Sequence, residues 1–317
     1  MTARAPRVQS TAFDCRSQDH DRNSAIFEAV RFCLGEDVNR KLVLAVAATL
    51  LIAEVSAAGG WKKSIAEAQR EAKPKNQLIL VDMYADWCGW CKKMAREVFP
   101  SEAFQKGTED LVLLQVDTED GEEGSNLAVQ FGVTTLPTFV LMTHDMMIAG
   151  VIRGYAPAEK FVKDIDAAVA DYRNFGQRVA NESSRSGDLP WRLELAKEFI
   201  RRRGFDQAIQ RLESIVTTPG LPDDSRNDAI YHLAVAHAGK EDYSGSIRTL
   251  DRLDEMVRNG EFAERSSILR AQVYYQKRDY QNAVTVLRRF KDAFPESALM
   301  PNVNRLLPQF EAAARAQ

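Results

Sequence analysis

Cys88 and Cys91 stand two residues apart in Asp86-Trp87-Cys88-Gly89-Trp90-Cys91-Lys92, just after an apolar run that holds one acid, Asp82. Such a pair serves thiol–disulfide exchange, half of a zinc or copper site, or a structural disulfide. A zinc site needs two more Cys or His ligands at close spacing. The other cysteines, Cys15 and Cys33, lie far upstream and the four histidines are scattered, so no metal is expected.

The flanking residues say where the pair must sit. Gln77-Leu78-Ile79-Leu80-Val81 reads as a buried strand, and Cys91-Lys92-Lys93-Met94-Ala95-Arg96-Glu97-Val98-Phe99 has the apolar spacing of an amphipathic helix. The cysteines therefore fall where strand turns into helix. There Cys88 faces unpaired backbone N–H groups and the positive end of the helix dipole, both of which favour thiolate, the nucleophile of disulfide exchange.

A chain of 317 residues is long enough for about two domains. Its 45% hydrophobic and 27% charged residues are ordinary for a soluble globular protein. A net charge of −3 gives no reason to invoke nucleic acid, whose binding shows as a basic patch or stripe. The run Arg201-Arg202-Arg203 reads as the solvated side of a helix.

The apolar segment 42–53 follows Arg40-Lys41 and ends near Val55-Ser56-Ala57-Ala58, which is the build of a secretory signal peptide. Residues 1–58 are accordingly read as a leader. Spanning a bilayer takes about 20 apolar residues, and Glu54 interrupts this run, so cleavage is expected over retention as a membrane anchor. Residues 1–37 make a long polar preamble, and translation starting near Val38 is hypothesised in its place. A tryptic peptide from before Val38 in the precursor contradicts that start. Cleavage leaves Cys88 and Cys91 as the only cysteines, in a periplasmic or secreted protein without a disulfide framework. The pair is then expected to be catalytic.

Beyond the pair, 61–73 reads as a helix stopped by Pro74, 111–117 and 138–142 as strands, 127–131 as a short helix, 147–153 as a hairpin partner and 157–172 as a final helix. This order makes a small three-layer α/β domain. With the Cys motif, Asp82, the loop Gly132-Val133-Thr134-Thr135-Leu136-Pro137-Thr138 and Gly154, it resembles the thioredoxin superfamily over about 61–174. Tyr84-Ala85-Asp86-Trp87-Cys88 is similar to exported members and to the C-terminal domain of the bacterial transmembrane disulfide reductase.

The resemblance implies roles. Cys88 is the attacking thiolate and Cys91 the resolving cysteine. Asp82 is buried behind them, where burial raises a carboxyl's pKa, and it accepts the Cys91 proton. Pro137 is cis, the backbone of Leu136 pairs with extended substrate, and Gly154 lets backbone approach beneath the site. Trp87 and Trp90 form an apolar rim, with Gly89 between the cysteines as a structural residue. Trp90 stands where thioredoxins carry proline and brings no positive charge, which implies a reductant. The strand 111–117 lacks the family's lysine, so Asp82 is expected to be harder to ionise.

The polar stretch 176–190 reads as a linker between a thioredoxin-like domain, 59–175, and an all-α region, 191–317. In that region Phe205, Tyr243 and Tyr280 recur at intervals of 38 and 37 residues. Each has an alanine nine residues earlier, Ala196, Ala234 and Ala271, and a small residue three later, Ala208, Ser246 and Ala283. The pattern resembles tetratricopeptide repeats over about 191–298, with 300–315 as a cap that Pro308 bends or breaks. Such stacks bind proteins or peptides on a concave face. His232 and His237 are read as packing or surface residues.

The expectation is an exported thiol–disulfide oxidoreductase, a thioredoxin-like α/β fold followed by tetratricopeptide-like helices. Its substrates are protein thiols and disulfides, its redox group is the Cys88–Cys91 pair without a cofactor, its electrons come from a membrane donor, and the repeats hold a protein partner. Isomerase or oxidase work uses the same residues. The rival reading is a scaffold or chaperone adaptor in which the repeats do the work.

Overall fold

The computed structural model describes residues 60–316. The expected leader with its apolar core 42–53, the alternative start near Val38, and Cys15 and Cys33 lie outside the described residues. Among the described residues no helix is long and apolar enough to cross a membrane.

The first part follows the order α1 (Ile65–Lys75), β1 (Ile79–Tyr84), α2 (Gly89–Lys93), α3 (Glu102–Gly107), β2 (Val112–Asp117), α4 (Glu123–Gln130), β3 (Thr138–Met142), β4 (Ile148–Arg153) and α5 (Ala158–Ala180). Pro74 does not stop α1, which runs one residue further and ends where Asn76 turns left-handed. The residues before it are extended, with Lys62 bridging to Leu114 beside β2. The strands form one sheet in the order β2-β1-β3-β4. β1 runs parallel to β2 and antiparallel to β3, which suits its nearly continuous burial as a central strand.

Alternation along the strands divides the sheet into two faces. Ile79, Val81 and Met83 join Val112, Leu114 and Val116 under Ala68 and Ala72 of α1 and Leu127 of α4. Leu80 joins Phe139 and Leu141 under Met94, Val98, Phe104 and Phe161. Asp82 and Gln115, opposite each other in the β1–β2 register, share this second face, which Met94 and Val98 cover. After Lys93 the helix widens into a π turn, Met94–Val98, closed by the Phe99 N–H to Met94 carbonyl bond at 3.1 Å. The wider turn keeps Met94 and Val98 buried.

α5 is longer than the sequence suggests, and part of the expected linker belongs to it. It continues through Ala180, a 3₁₀ turn follows at Glu182–Arg185, and α6 begins at Leu189. The physical reason is burial: Tyr172, Phe175 and Val179 pack into the core of the helical region, with Phe175 against Phe199 at 4.9 Å. The apolar stripe of one helix thus serves both parts.

The helical region comprises α6 (Leu189–Arg201), α7 (Phe205–Val216), α8 (Asp223–Gly239), α9 (Tyr243–Met256), α10 (Glu261–Gln276), α11 (Tyr280–Ala293) and α12 (Met300–Arg315). Phe205, Tyr243 and Tyr280 each open the second helix of a pair. Two residues ahead, Arg203, Glu241 and Arg278 all adopt positive φ near 64–65°, one turn repeated three times. Ala196, Ala234 and Ala271 and, facing them, Ala208, Ser246 and Ala283 are fully buried, so small side chains let the helices meet. The serine in the middle repeat donates its hydroxyl to the Ala234 carbonyl at 2.9 Å. α12 runs through Pro308 as a continuous helix.

Candidate functional site

Cys88 occupies the N-cap of α2 in extended conformation, and its sulfur accepts the Cys91 backbone N–H at 3.1 Å. Sequence dictates this: β1 delivers the chain to the open end of the sheet, Cys88 N–H closes a turn onto the Ala85 carbonyl, and helix begins at Gly89. Cys88 and Cys91 form a disulfide with Cα atoms 5.3 Å apart. Both are nearly buried, at 3% and 7% exposure, whereas Trp87 and Trp90 beside them stand out at 68% and 55%.

The indoles are anchored. Trp87 Nε1 donates to Glu119 Oε1 at 2.8 Å. Trp90 lies 5.4 Å from the Tyr155 ring, and the Lys93 ammonium sits 4.5 Å from Tyr155 and 5.5 Å from Trp90. The Tyr155 hydroxyl donates to Glu97 at 3.0 Å, and Glu97 also pairs with Lys93 at 3.7 Å.

Gly154, at φ +83°, turns the chain at the end of β4, and its N–H donates to the Pro137 carbonyl at 2.9 Å. The Leu136–Pro137 bond is cis, with Pro137 buried and Leu136 half-buried. Gly89 has open space where a Cβ would project, so packing alone does not demand glycine there.

Asp82 is 2% exposed, and its Oδ1 has no hydrogen-bond partner. Its Oδ2 accepts from Gln115 Nε2 at 3.1 Å, and Gln115 Oε1 accepts from Lys63 Nζ at 2.8 Å. Burial pushes the Asp82 carboxyl up to about 7, against the opposing pull of the Gln115 hydrogen bond and the Lys63 charge. A carboxyl poised there exchanges protons at neutral pH. The cation that acts on Asp82 thus comes from ahead of α1 and not from 111–117.

Residues 61–167 match the family described as Thioredoxin, and residues 268–297 match Tetratricopeptide repeat. A segment that matches the thioredoxin model thus precedes a helical region that holds one tetratricopeptide-repeat match. Thiol:disulfide interchange protein DsbD of Pasteurella multocida is 37% identical over 94 residues, 29% of this chain and 16% of that protein. Thioredoxin-like protein HCF164, chloroplastic, of Arabidopsis thaliana is 25% identical over 160 residues, 47% of this chain and 60% of that one. The chain spans less than two thirds of the length of either. The solved C-terminal domain of Neisseria meningitidis DsbD in the oxidised form is 22% identical, with a TM-score of 0.30, over 32% of this chain and 90% of that one.

In the thioredoxin domain, sequence reasoning missed Lys63, Gln115, Tyr155, Lys93, Glu97 and Glu119. Tyr155 follows Gly154 directly, which was a usable signal. Gln115 needed the β1–β2 register, which no local pattern supplies. Among the described residues no group of three or more His, Cys, Asp and Glu is placed to hold a metal.

In the repeats, Asp228 lies between Lys197 Nζ, at 2.5 Å, and His232 Nδ1, at 2.9 Å. Burial alone would raise the Asp228 carboxyl, but these two hydrogen bonds win and hold it at about 2. His237 Nδ1 is 2.9 Å from Asp242 Oδ2. Both histidines are thus fixed parts of helix packing. Lys197, Asp228 and His232 line a groove with Phe262 and Arg265, and the Arg265 guanidinium rests 4.1 Å from the Tyr231 ring.

Proposed function

We propose that the protein is an exported thiol–disulfide oxidoreductase that works as a protein-disulfide reductase. The observation that supports this most is the Cys88–Cys91 disulfide at the start of α2, above a sheet face that buries Asp82. In the reducing direction the Cys88 thiolate attacks a substrate disulfide. A Cys88–substrate S–S bond forms, and the electron pair of the broken bond leaves on the other substrate sulfur, which takes a proton from water. Cys91 then gives its proton to the Asp82 carboxylate and attacks Cys88. The Cys88–Cys91 bond forms, and the second substrate sulfur departs with its electron pair and is protonated. Two electrons and two protons pass to substrate, and the disulfide state described above is the product.

Trp87 and Trp90 form the rim against which substrate packs, while the backbone of Leu136, next to Pro137, pairs with an extended chain. Gly154 holds that loop close from below. No cofactor takes part, and a membrane electron donor returns the pair to the dithiol. The repeats recruit a protein partner or substrate, with the groove of Lys197, Asp228, His232 and Arg265 as its contact face. Export follows from the leader read in the sequence.

The test is a trap. The Cys91→Ala chain is expected to accumulate mixed disulfides through Cys88, released by dithiothreitol, in its native compartment. A variant that accumulates none favours the scaffold reading.

A further inference from the structure

Gln115 sits between two groups that dictate how its amide points. The Lys63 ammonium can only donate, so Gln115 must turn Oε1 toward it, and Nε2 is then left facing Asp82. An amide N–H aimed at a carboxyl favours the ionised form, whereas an amide oxygen in the same place favours the protonated acid. Lys63 thus decides the sign of the Gln115 effect. It also adds a favourable charge of its own.

The arrangement is built by backbone. Lys62 extends the sheet edge, its N–H donating to the Leu113 carbonyl at 2.8 Å and its own carbonyl accepting from Gln115 N–H at 3.0 Å. That pairing places Lys63 over the Gln115 side chain. Gln115 in turn lies opposite Asp82 in the β1–β2 register, on the sheet face that Met94 and Val98 cover. The other ionisable group coupled to Asp82 is Tyr84 on the same strand, whose proton the Asp82 charge helps to hold. Lys63 is the cation that acts on the carboxyl.

We propose that Lys63 and Gln115 are positioning residues that orient the proton-accepting oxygen of Asp82 and bias it toward the ionised form, so that it can take the Cys91 proton. This rests on the exchange reading above, because only there does Asp82 serve as the base. Loss of Lys63 frees the amide to rotate and present its oxygen. Loss of Gln115 removes the donor itself. Both changes leave the protonated acid favoured.

The experiment is a ¹³C titration of the Asp82 carboxyl in the oxidised full chain, assigned with Asp82→Asn, comparing wild type with Lys63→Met, Gln115→Leu and Lys63→Arg. Lys63 is exposed, so its replacement leaves the core intact. Lys63→Met and Gln115→Leu are each expected to raise the midpoint by about one pH unit, and Lys63→Arg to stay near wild type. In the reduced chains, the pH midpoint of single-turnover reduction of a protein disulfide moves the same way. If the wild-type chain exchanges disulfides but both variants titrate as it does, the relay is overturned while the exchange reading stands. A wild-type chain that reduces no disulfide at any pH overturns the exchange reading, and with it the purpose assigned to the relay.

Discussion

Arg202 and Ile148 lock the two halves of the described chain together. The Ile148 N–H donates to the Arg202 carbonyl at 2.7 Å, and the Arg202 guanidinium donates back to the Ile148 and Ala149 carbonyls at 3.3 and 3.0 Å. Because β4 is an edge strand, these bonds satisfy backbone groups that would otherwise face solvent. The same side chain meets Glu198 at 3.1 Å and Asp171 at 2.6 Å. The repeats are therefore attached to the thioredoxin domain through its sheet as well as through α5.

Arg202→Ala should separate the unfolding of the two parts. It removes one of the two arginines paired with the buried Glu198, leaving Arg178, and the side-chain bonds to the Ile148 and Ala149 carbonyls of β4, at an expected cost of about 1–3 kcal/mol. Urea unfolding followed by tryptophan fluorescence and by helical dichroism should coincide in wild type and diverge in the variant. Coincident curves of unchanged midpoint would contradict the coupling.

Asp82 makes folding stability depend on pH in a definite sense. Its folded carboxyl is pushed up to about 7 from 3.8, so between those values the folded state binds the proton more tightly than the unfolded. Stability attributable to this group is complete at low pH and falls as pH rises toward 7. Asp82→Asn should therefore stabilise the oxidised protein at pH 8, by at most roughly 4 kcal/mol, and by less at pH 5. Denaturant midpoints at the two pH values measure it, and an equal effect at both would contradict the buried, proton-holding carboxyl.

The first repeat meets the second through a glycine. A Cβ on Gly239 would lie 2.3 Å from the Phe205 ring. Gly239→Ala is expected to lower stability by about 1–3 kcal/mol, and Phe205→Leu in the same chain to recover part of that loss. A thermal-denaturation double-mutant cycle reads the coupling, and strictly additive losses would show that the ring and the glycine do not meet.

Tyr155 holds Trp90 in place beside the disulfide. Tyr155→Ala is expected to raise KM for a protein disulfide about fivefold, as for the loss of about 1 kcal/mol of aromatic and cation contact. Turnover of a small aromatic disulfide, which does not span the rim, should change little. An equal effect on both substrates would place Tyr155 outside substrate binding.

Much of this arrangement was legible in sequence because it is local. The Cys pair at a strand-to-helix junction, the acid in an apolar strand, and the loop ending in Pro137 are read from adjacent residues, and the structure places each of them at the same end of β1 or its neighbour β3. The three aromatic positions of the repeats were equally plain, since one turn recurs with one spacing. What escaped the sequence depends on register and long-range packing. Gln115 reaches Asp82 only because β1 and β2 pair as they do, and Lys63 is fixed by a single bridge outside the named strands. The linker was misjudged for a related reason. Its first residues, 176–180, continue α5, whose buried Phe175 and partly buried Val179 meet helices that come later in the chain, while Glu182–Arg185 form the turn between helices.

The most direct measurement is the reduction potential of the Cys88/Cys91 pair, by thiol trapping across dithiothreitol and glutathione buffers in the full chain. A reversible couple near about −270 mV is the expected result for a disulfide reductase. A value of about −180 to −120 mV would contradict the reducing direction, and a pair that does not cycle at all would contradict thiol–disulfide exchange itself.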